Sequence, residues 1–145
     1  METALCLCFL VVPLVFATIS YAYMLSFRQT LSQAAAEGAR AAAVAPVGTS
    51  TATAETVAKS AINDALSGVD GGMKCNDSTN TSSYLTCTFV WKTTGCGTDA
   101  SGANLRCLTV NLSYPYKAHS LLPTLPGLGF TLPGNLSYSA TAQVS

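Results

Sequence analysis

Residues 3–27 read TALCLCFLVVPLVFATISYAYMLSF and contain no charged side chain. The hydrocarbon core of a bilayer needs about 20 mostly apolar residues in a helix, so this stretch is long enough to span it. It runs directly into residues 28–44, RQTLSQAAAEGARAAAV, which are rich in the strong helix formers alanine, arginine and leucine. We therefore predict one helix from Glu2 to about Ala45. Pro46 ends it, because the residue before a proline avoids the helical conformation.

The apolar stretch has two interpretations, a cleaved signal peptide and a retained membrane anchor. The apolar region of a signal peptide is about 7–15 residues long and ends at a small-residue cleavage site. Here the apolar run is longer and the helix continues beyond it, which favours the anchor. Pro13 lies inside this helix and predicts a kink. Tyr21 and Tyr23, near its end, are typical of the aromatic belt at a membrane interface.

Two signals disagree about the side of the membrane on which the rest of the chain lies. Arg28 and Arg40 follow the apolar stretch, and the positive-inside rule would place them in the cytoplasm. The later cysteines and a composition rich in Ser, Thr, Asn and Gly favour the opposite side. We give the second signal more weight and expect residues 47–145 to form an exported head domain on a membrane-spanning and assembly helix, residues 1–46. We also expect a basic leader to precede Met1.

Composition and motifs argue against several functional classes. Seven basic and seven acidic residues give a net charge of zero, so no basic patch predicts nucleic-acid binding. The single histidine, His119, lies in a proline-rich connection without an evident partner carboxylate for general-base catalysis. The sequence contains no phosphate-binding glycine loop, HExxH or GxSxG motif. We predict a protein that is not an enzyme, with no catalytic residues, no cofactor and no metal.

The six cysteines fall into two groups. Cys6 and Cys8 lie in the apolar stretch and are expected to be buried or to be free thiols. The second group, with spacings of 12, 9 and 11, predicts two disulfides in an exported domain: Cys75, Cys87, Cys96 and Cys107. Zinc binding is the alternative, and it is weaker because zinc sites usually contain closely spaced cysteine pairs.

The remaining pattern predicts an α+β fold. After a linker at residues 46–54, residues 55–67 predict a second helix, capped by Thr51 or Thr53. Residues 84–92 and 106–116 alternate apolar and polar side chains and predict a hairpin, and residues 135–144 predict a last strand. We therefore expect a long N-terminal helix that carries a small domain of one short helix and an antiparallel sheet of about three or four strands.

The predicted hairpin favours one cysteine pairing among the three that four cysteines allow. If Trp91 lies opposite Arg106, Cys87 faces Val110 on the core side and Cys107 points to the other face, near the loop. Cys96 would then pair with Cys107 and hold the loop at residues 93–105, and Cys75 would pair with Cys87.

Five small or apolar residues recur along one narrow face of the predicted first helix: Leu31, Ala35, Gly38, Ala39 and Ala42. Small side chains let another backbone approach closely. Two interpretations are open, one in which this face packs on the chain's own domain and one in which it packs on helices of neighbouring subunits.

The first helix resembles the N-terminal region of the TadE-like family, minor pilins or pseudopilins of the tight-adherence (Tad/Flp) pilus system. The resemblance rests on a Glu-led apolar stretch with an early proline, METALCLCFLVVPLVF, and on the run LSQAAAEGARAAAV. The segment LTVNLSYPYKAHSLLP and the closing SYSATA also resemble the family's ending. The glycine expected before a prepilin-peptidase cut is absent from these residues.

The resemblance implies a pilin-like, membrane-anchored subunit that a prepilin peptidase processes and that contributes to assembly or initiation of a pilus. Its implied partners are membrane lipid and other pilins or pilus-assembly proteins, contacted through the N-terminal helix. Glu2 matches the family's glutamate, which would offset the N-terminal amine of a neighbouring subunit. The simpler alternative places Glu2 in the headgroup region, beside its own amine.

Two other functions stay open. The chain could be a stand-alone signal-anchored adhesion domain outside the cytoplasm, with the loop at residues 93–105 as its contact surface. It could also be an exported glycoprotein, because four asparagines begin Asn-x-Ser/Thr sequons: Asn76, Asn80, Asn111 and Asn135.

Overall fold

The structure is a computed structural model that describes residues 2–46, 50–69, 73–75, 84–98, 102, 104–119, 121 and 133–144, with the backbone alone for residues 2–6. Within these residues the chain forms two helices and three strands, in the order α1 (Glu2–Ala43), α2 (Thr51–Ala65), β1 (Thr86–Lys92), β2 (Arg106–Tyr114) and β3 (Leu136–Val144). The predicted α+β class, with its long first helix and antiparallel sheet, is confirmed.

Helix α1 is continuous over 42 residues and includes Pro13. At 1.5 Å per residue it is about 63 Å long. It ends two residues before the predicted Ala45, where the amide of Val44 donates to the carbonyl oxygen of Arg40 and Pro46 follows. The sequence therefore predicted both the length of this helix and the reason for its end.

Helix α2 begins four residues earlier than predicted. Ser50 is its N-cap, with an extended backbone and a hydroxyl that accepts a hydrogen bond from the amide of Thr53, so neither Thr51 nor Thr53 is the cap. The residues TATA, which we placed in the linker, form the first turn. Glu55 consequently lies beyond the first turn, and its carboxylate accepts a hydrogen bond from Trp91. Ala54, Ala58 and Ile62 form the buried stripe of this helix.

The three strands form one antiparallel sheet in the order β1-β2-β3. The predicted hairpin between β1 and β2 is confirmed, but its predicted register is wrong by two residues. Trp91 lies opposite Leu108, not Arg106, and Cys87 lies opposite Leu112, not Val110. A shift of two residues keeps every side chain on its predicted face, so Leu108, Val110 and Leu112 are buried as expected.

One core joins the second half of α1 to the rest of the domain. Residues on α1 from Met24 onward pack with the buried stripe of α2 and with the inner face of the sheet. Residues 24–45, which we assigned to the membrane and assembly segment, thus share a core with the head. The long helix is both the stem and the central element of the small domain.

Candidate membrane and assembly surface

The first half of α1 presents apolar side chains to the surroundings. Phe9 is 87% exposed and Leu10 is 66% exposed, and large exposed side chains continue to Leu25: Leu7, Val11, Val12, Leu14, Val15, Phe16, Ile19 and Tyr21. The part of α1 from Leu7 onward is long and apolar enough to cross a membrane, judged by length and composition. Exposed apolar surface of this extent is unfavourable in water, and contact with lipid or with other apolar helices would cover it.

The head begins within one turn of the end of this apolar run. Met24 and Phe27 are buried, whereas Leu25, Ser26 and Arg28 are exposed. The ring of Phe27 lies 5.2 Å, centroid to centroid, from the ring of Tyr114 in an edge-to-face arrangement. There is accordingly no linker between the apolar segment and the domain.

The small-residue face of α1 is covered by the chain itself. Leu31, Ala35, Ala39 and Ala42 are buried in the shared core. Gly38 lies so close to α2 that a Cβ added there would be 2.5 Å from Cγ1 of Ile62. Of the two interpretations of this face, the one in which it packs on the chain's own domain describes these residues. In this fold these residues are covered and present no surface to another subunit.

Glu2 and Pro13 belong to the projecting half of α1. Glu2 is the first helical residue, and its side chain lies outside the described residues. Pro13 lies inside the apolar run, and Cys8 is a free, exposed cysteine on the same segment. The roles of Glu2 and Pro13 in assembly stay predictions.

Both favoured cysteine pairs are present in the structure. Cys75 pairs with Cys87 and Cys96 pairs with Cys107, at Cα separations of 5.6 and 5.7 Å. Within the first pair, both cysteines are buried, and the amide of Cys75 donates to Oδ1 of Asn63 on α2. This disulfide therefore links β1 to the segment that follows α2.

The second disulfide holds the loop after β1. The side chain of Gln143 on β3 donates a 2.8 Å hydrogen bond to the carbonyl oxygen of Cys96, and Thr98 forms a β-bridge with Asn104. Gly95 and Gly97 adopt φ of +79° and +92°, which residues with side chains rarely adopt. The loop is thus fixed to the sheet by a disulfide and a side-chain hydrogen bond, and the bridge between Thr98 and Asn104 pairs the two sides of the loop with each other.

The loop and the apolar segment lie at opposite ends of the head. Trp91, at the end of β1, donates a 2.7 Å hydrogen bond from its indole nitrogen to Oε1 of Glu55, near the start of α2 and so near the end of α1. Tyr114, at the end of β2, contacts Phe27 instead. Strand β2 therefore runs from the loop toward the apolar half of α1, against the direction of that helix.

A cluster of aromatic rings forms the end of the head nearest the apolar segment. Phe27, Tyr114 and Tyr116 lie with centroids 5.2 to 6.4 Å apart, and Tyr84 stacks on His119 at 3.2 Å. Burial raises the pKa of Tyr116 above its ordinary value, and nearby Tyr23 raises it further. Burial likewise raises the pKa of Tyr114, with smaller contributions from Tyr116 and Tyr84. The phenol of Tyr114 donates to the carbonyl oxygen of His119.

Arg28 connects α1 to the start of β3. Its Nε donates a 2.7 Å hydrogen bond to the hydroxyl of Tyr138, across 110 residues of sequence. The two residues line an open groove together with Leu25, Gln29, Ser32 and Gln33. Sequence reasoning missed this pair and the bond between Trp91 and Glu55, because no local pattern relates residues so far apart.

Within the described part of the chain, no group of three or more His, Cys, Asp or Glu side chains is placed to hold a metal ion. His119 is stacked on a tyrosine ring at the aromatic end of the head. Two of the sequon residues, Asn76 and Asn80, lie outside the described residues.

Comparison with known proteins gives one finding. The family model described as TadE-like protein matches residues 1–40, which is less than a third of the 145 residues. No curated protein and no solved structure matched the chain. The matched region covers the apolar half of α1 and most of the helical part that packs in the head, and it fits a membrane-anchored protein associated with tight-adherence pili. The match over residues 1–40 supports the assignment of this chain to the TadE-like family.

Proposed function

We propose that this protein is a minor pilin or pseudopilin that is anchored in the membrane by α1 and contributes to assembly or initiation of a tight-adherence pilus. One observation carries the proposal. The apolar half of the segment that matches the family projects from the head with its large side chains exposed, while the other half forms the core. A helix of this kind can pass from lipid into a bundle of similar helices without refolding the head.

The proposal divides α1 into two parts with different tasks. The small-residue face fixes the helix to its own head, through Leu31, Ala35, Gly38, Ala39 and Ala42. Contacts with other pilins or assembly proteins are made by the projecting part, where Pro13 bends the helix to fit its neighbours. Glu2 pairs with the N-terminal amine of an adjacent subunit, since a carboxylate in a membrane segment is costly unless it is paired.

We place the head outside the cytoplasm. The two disulfides support this side, because such bonds persist in oxidising compartments and are rare in the cytosol. The head then carries its disulfide-held loop on the end farthest from the membrane. A prepilin peptidase would process the chain on the opposite side, before the helix enters the assembly.

Photo-crosslinking in the native host tests the assembly role. A photoreactive phenylalanine analogue at Phe16 lies on the exposed apolar segment, and the same analogue at Thr88 lies on the exposed outer face of β1. We expect crosslinks from position 16 to a pilin or pilus-assembly protein, identified by mass spectrometry, and none of that kind from position 88. We also expect deletion of the gene to reduce piliation and the unaltered gene to restore it. Normal piliation without the gene, together with no protein crosslink at position 16, would contradict the proposal.

A second candidate is a stand-alone adhesion domain, which the distal loop favours. The loop is held by the Cys96–Cys107 disulfide and by Gln143, so it presents a fixed surface. Replacing Thr98 and Asn104 with alanine separates the two functions. Loss of adhesion in cells that have normal pili and no crosslink at position 16 would favour the stand-alone domain.

A further inference from the structure

The length of the apolar part of α1 bears on how far the aromatic end of the head lies from the membrane surface. Glu2 is charged, so the uncharged segment begins at residue 3, and burial in the head begins at Met24. The 21 residues between these points form about 31 Å of helix, and the hydrocarbon core of a bilayer is about 30 Å thick. If α1 spans the bilayer, the head meets the membrane where the hydrocarbon ends.

The chemistry of that end suits the headgroup region. We call Tyr23, Arg28, Tyr84, Lys117 and His119 the membrane-facing rim. Tyr23 lies near Tyr116, Lys117 directly follows Tyr116, and Tyr84 stacks on His119. Arg28 and Lys117 are exposed, and Tyr84 is 39% exposed. Tyrosines collect at membrane interfaces because each ring has an apolar body and a polar tip, and basic residues there are attracted to anionic lipid.

The groove beside Arg28 has the polarity gradient that a phospholipid headgroup requires. Leu25 is its apolar end, nearest the membrane segment, and Gln29, Ser32 and Gln33 continue it away from the membrane with hydrogen-bonding groups. A guanidinium has five N–H donors, and the bond to Tyr138 uses one of them. Arg28 is therefore held in place with donors left for a phosphate.

We infer that the membrane-facing rim rests in the phospholipid headgroup layer, with Arg28 and Lys117 beside lipid phosphates and the rings of Tyr23 and Tyr84 at the boundary of the hydrocarbon. This inference rests on the proposed function only in that α1 must span a membrane. It adds a second contact between the protein and the membrane, made by the head. That contact fixes the height and the tilt of the head above the lipid.

Fluorescence quenching in lipid vesicles tests the inference with the full chain. Trp91 is the single tryptophan, and it lies about 17 Å along β1 from Thr86, the strand's first residue, which follows Tyr84 by two positions, at 3.3 Å per strand residue. The protein is reconstituted in vesicles of phosphatidylcholine and phosphatidylglycerol whose acyl chains are brominated near the headgroup. We expect little quenching of Trp91 in the unaltered chain. In Tyr84→Trp, the added emission should fall by about twofold or more, as for a ring at the interface.

Two further variants keep the result interpretable. Lys117→Trp puts the probe on an exposed residue of the same rim, in case Tyr84→Trp disturbs the stacking on His119, and the same quenching is expected. Phe16→Trp lies about 12 Å below Met24 along α1, so it is measured in vesicles whose acyl chains are brominated near the bilayer centre, and it reports on the membrane helix alone. Quenching of Phe16→Trp without quenching of either rim probe would overturn the inference and leave the anchor intact. No quenching of any probe would overturn the anchor as well.

Discussion

Gly38 of α1 lies directly against the side chain of Ile62 of α2, and a Cβ at position 38 would be 2.5 Å from Cγ1 and 2.7 Å from Cδ1 of that side chain. This close approach explains why a small residue stands in the middle of a long helix, where glycine is less favourable than alanine. It also means that the small-residue face positions the head on its own stem.

Gly38→Ala should therefore destabilise the protein. The substitution gains about 1 kcal/mol of helix propensity, but forcing a methyl group into a packed core costs about 1–3 kcal/mol. We expect a net loss of about 1 kcal/mol in the free energy of unfolding, measured by chemical denaturation in detergent.

Two controls accompany that measurement. Gly68→Ala has open space around it, since a Cβ there would meet nothing within 4 Å, and it should be neutral. Ile62→Ala removes both Cγ1 and Cδ1, so the double variant with Gly38→Ala should lose less stability than the two single substitutions added together. Greater stability of Gly38→Ala alone would show that the two helices do not approach this closely.

The bond between Trp91 and Glu55 should contribute measurably to stability. Glu55→Ala leaves the part-buried indole N–H without its acceptor, which costs about 1–3 kcal/mol. Glu55→Gln keeps an oxygen acceptor and should retain most of the stability. Because Trp91 is the single tryptophan, its emission reports the change directly, and a shift to longer wavelength is expected for Glu55→Ala. The exposed Glu37→Ala is the control, and an equal effect of both substitutions would contradict the role of this bond.

The two disulfides should differ in their resistance to reduction. Cys75 and Cys87 are both buried, whereas Cys96 is only half-buried. We expect a mild thiol reductant to open the Cys96–Cys107 bond first, because exchange requires access to a sulfur atom. Differential alkylation followed by mass spectrometry of the native membrane fraction measures the order. Once the membrane is dissolved in a denaturing detergent, and before reduction, Cys75, Cys87, Cys96 and Cys107 should resist alkylation and Cys8 should react. Free thiols at those four positions in native material would argue against an exported head.

Alkaline pH should weaken the packing of the aromatic end. The pKa of Tyr116 is raised in the folded chain, chiefly by burial. As pH rises past about 10, the unfolded chain loses this proton before the folded chain does. The stability is therefore intact below that pH and decreases above it, until the folded group also ionises.

Tyr116→Phe tests this effect because it removes the ionisable group and keeps the ring. Between about pH 9 and pH 11, the variant should lose less stability than the unaltered chain, as measured by denaturation at each pH. Tyr114→Phe is a useful comparison. It also removes the hydrogen bond to His119 and should be less stable at neutral pH. Identical pH profiles for Tyr116→Phe and the unaltered chain would exclude a contribution from Tyr116.

The sequence predicted which face of each strand is buried better than it predicted which residues lie opposite one another in the sheet. The period of two placed Leu108, Val110 and Leu112 on the buried side, yet the register was wrong by two residues. A shift of two changes which residues are opposite one another but not which face they occupy, so the alternation carries no information about it. Both favoured cysteine pairs are nevertheless correct, because Cys107 lies next to the loop in either register.

Distant contacts had no signal in the sequence. The small residues on α1 indicated a close approach but not by what, although Ala54 and Ala58 on α2 supply a matching small face. The sequence predicts the start of α2 too late because the turn TATA has no apolar period and the cap, Ser50, lies before it. Arg28 and Tyr138 meet only because the fold brings β3 to the stem.

The continuity of α1 has a mechanical consequence. The helix passes from the apolar segment into the core without a hinge, and its single proline, Pro13, lies within the apolar part. A force applied to the loop at residues 93–105 would be transmitted through the sheet to residues 24–43 of α1, which share its core. If α1 spans the bilayer as we propose, bending under such a force would concentrate at Pro13, at a point within the bilayer.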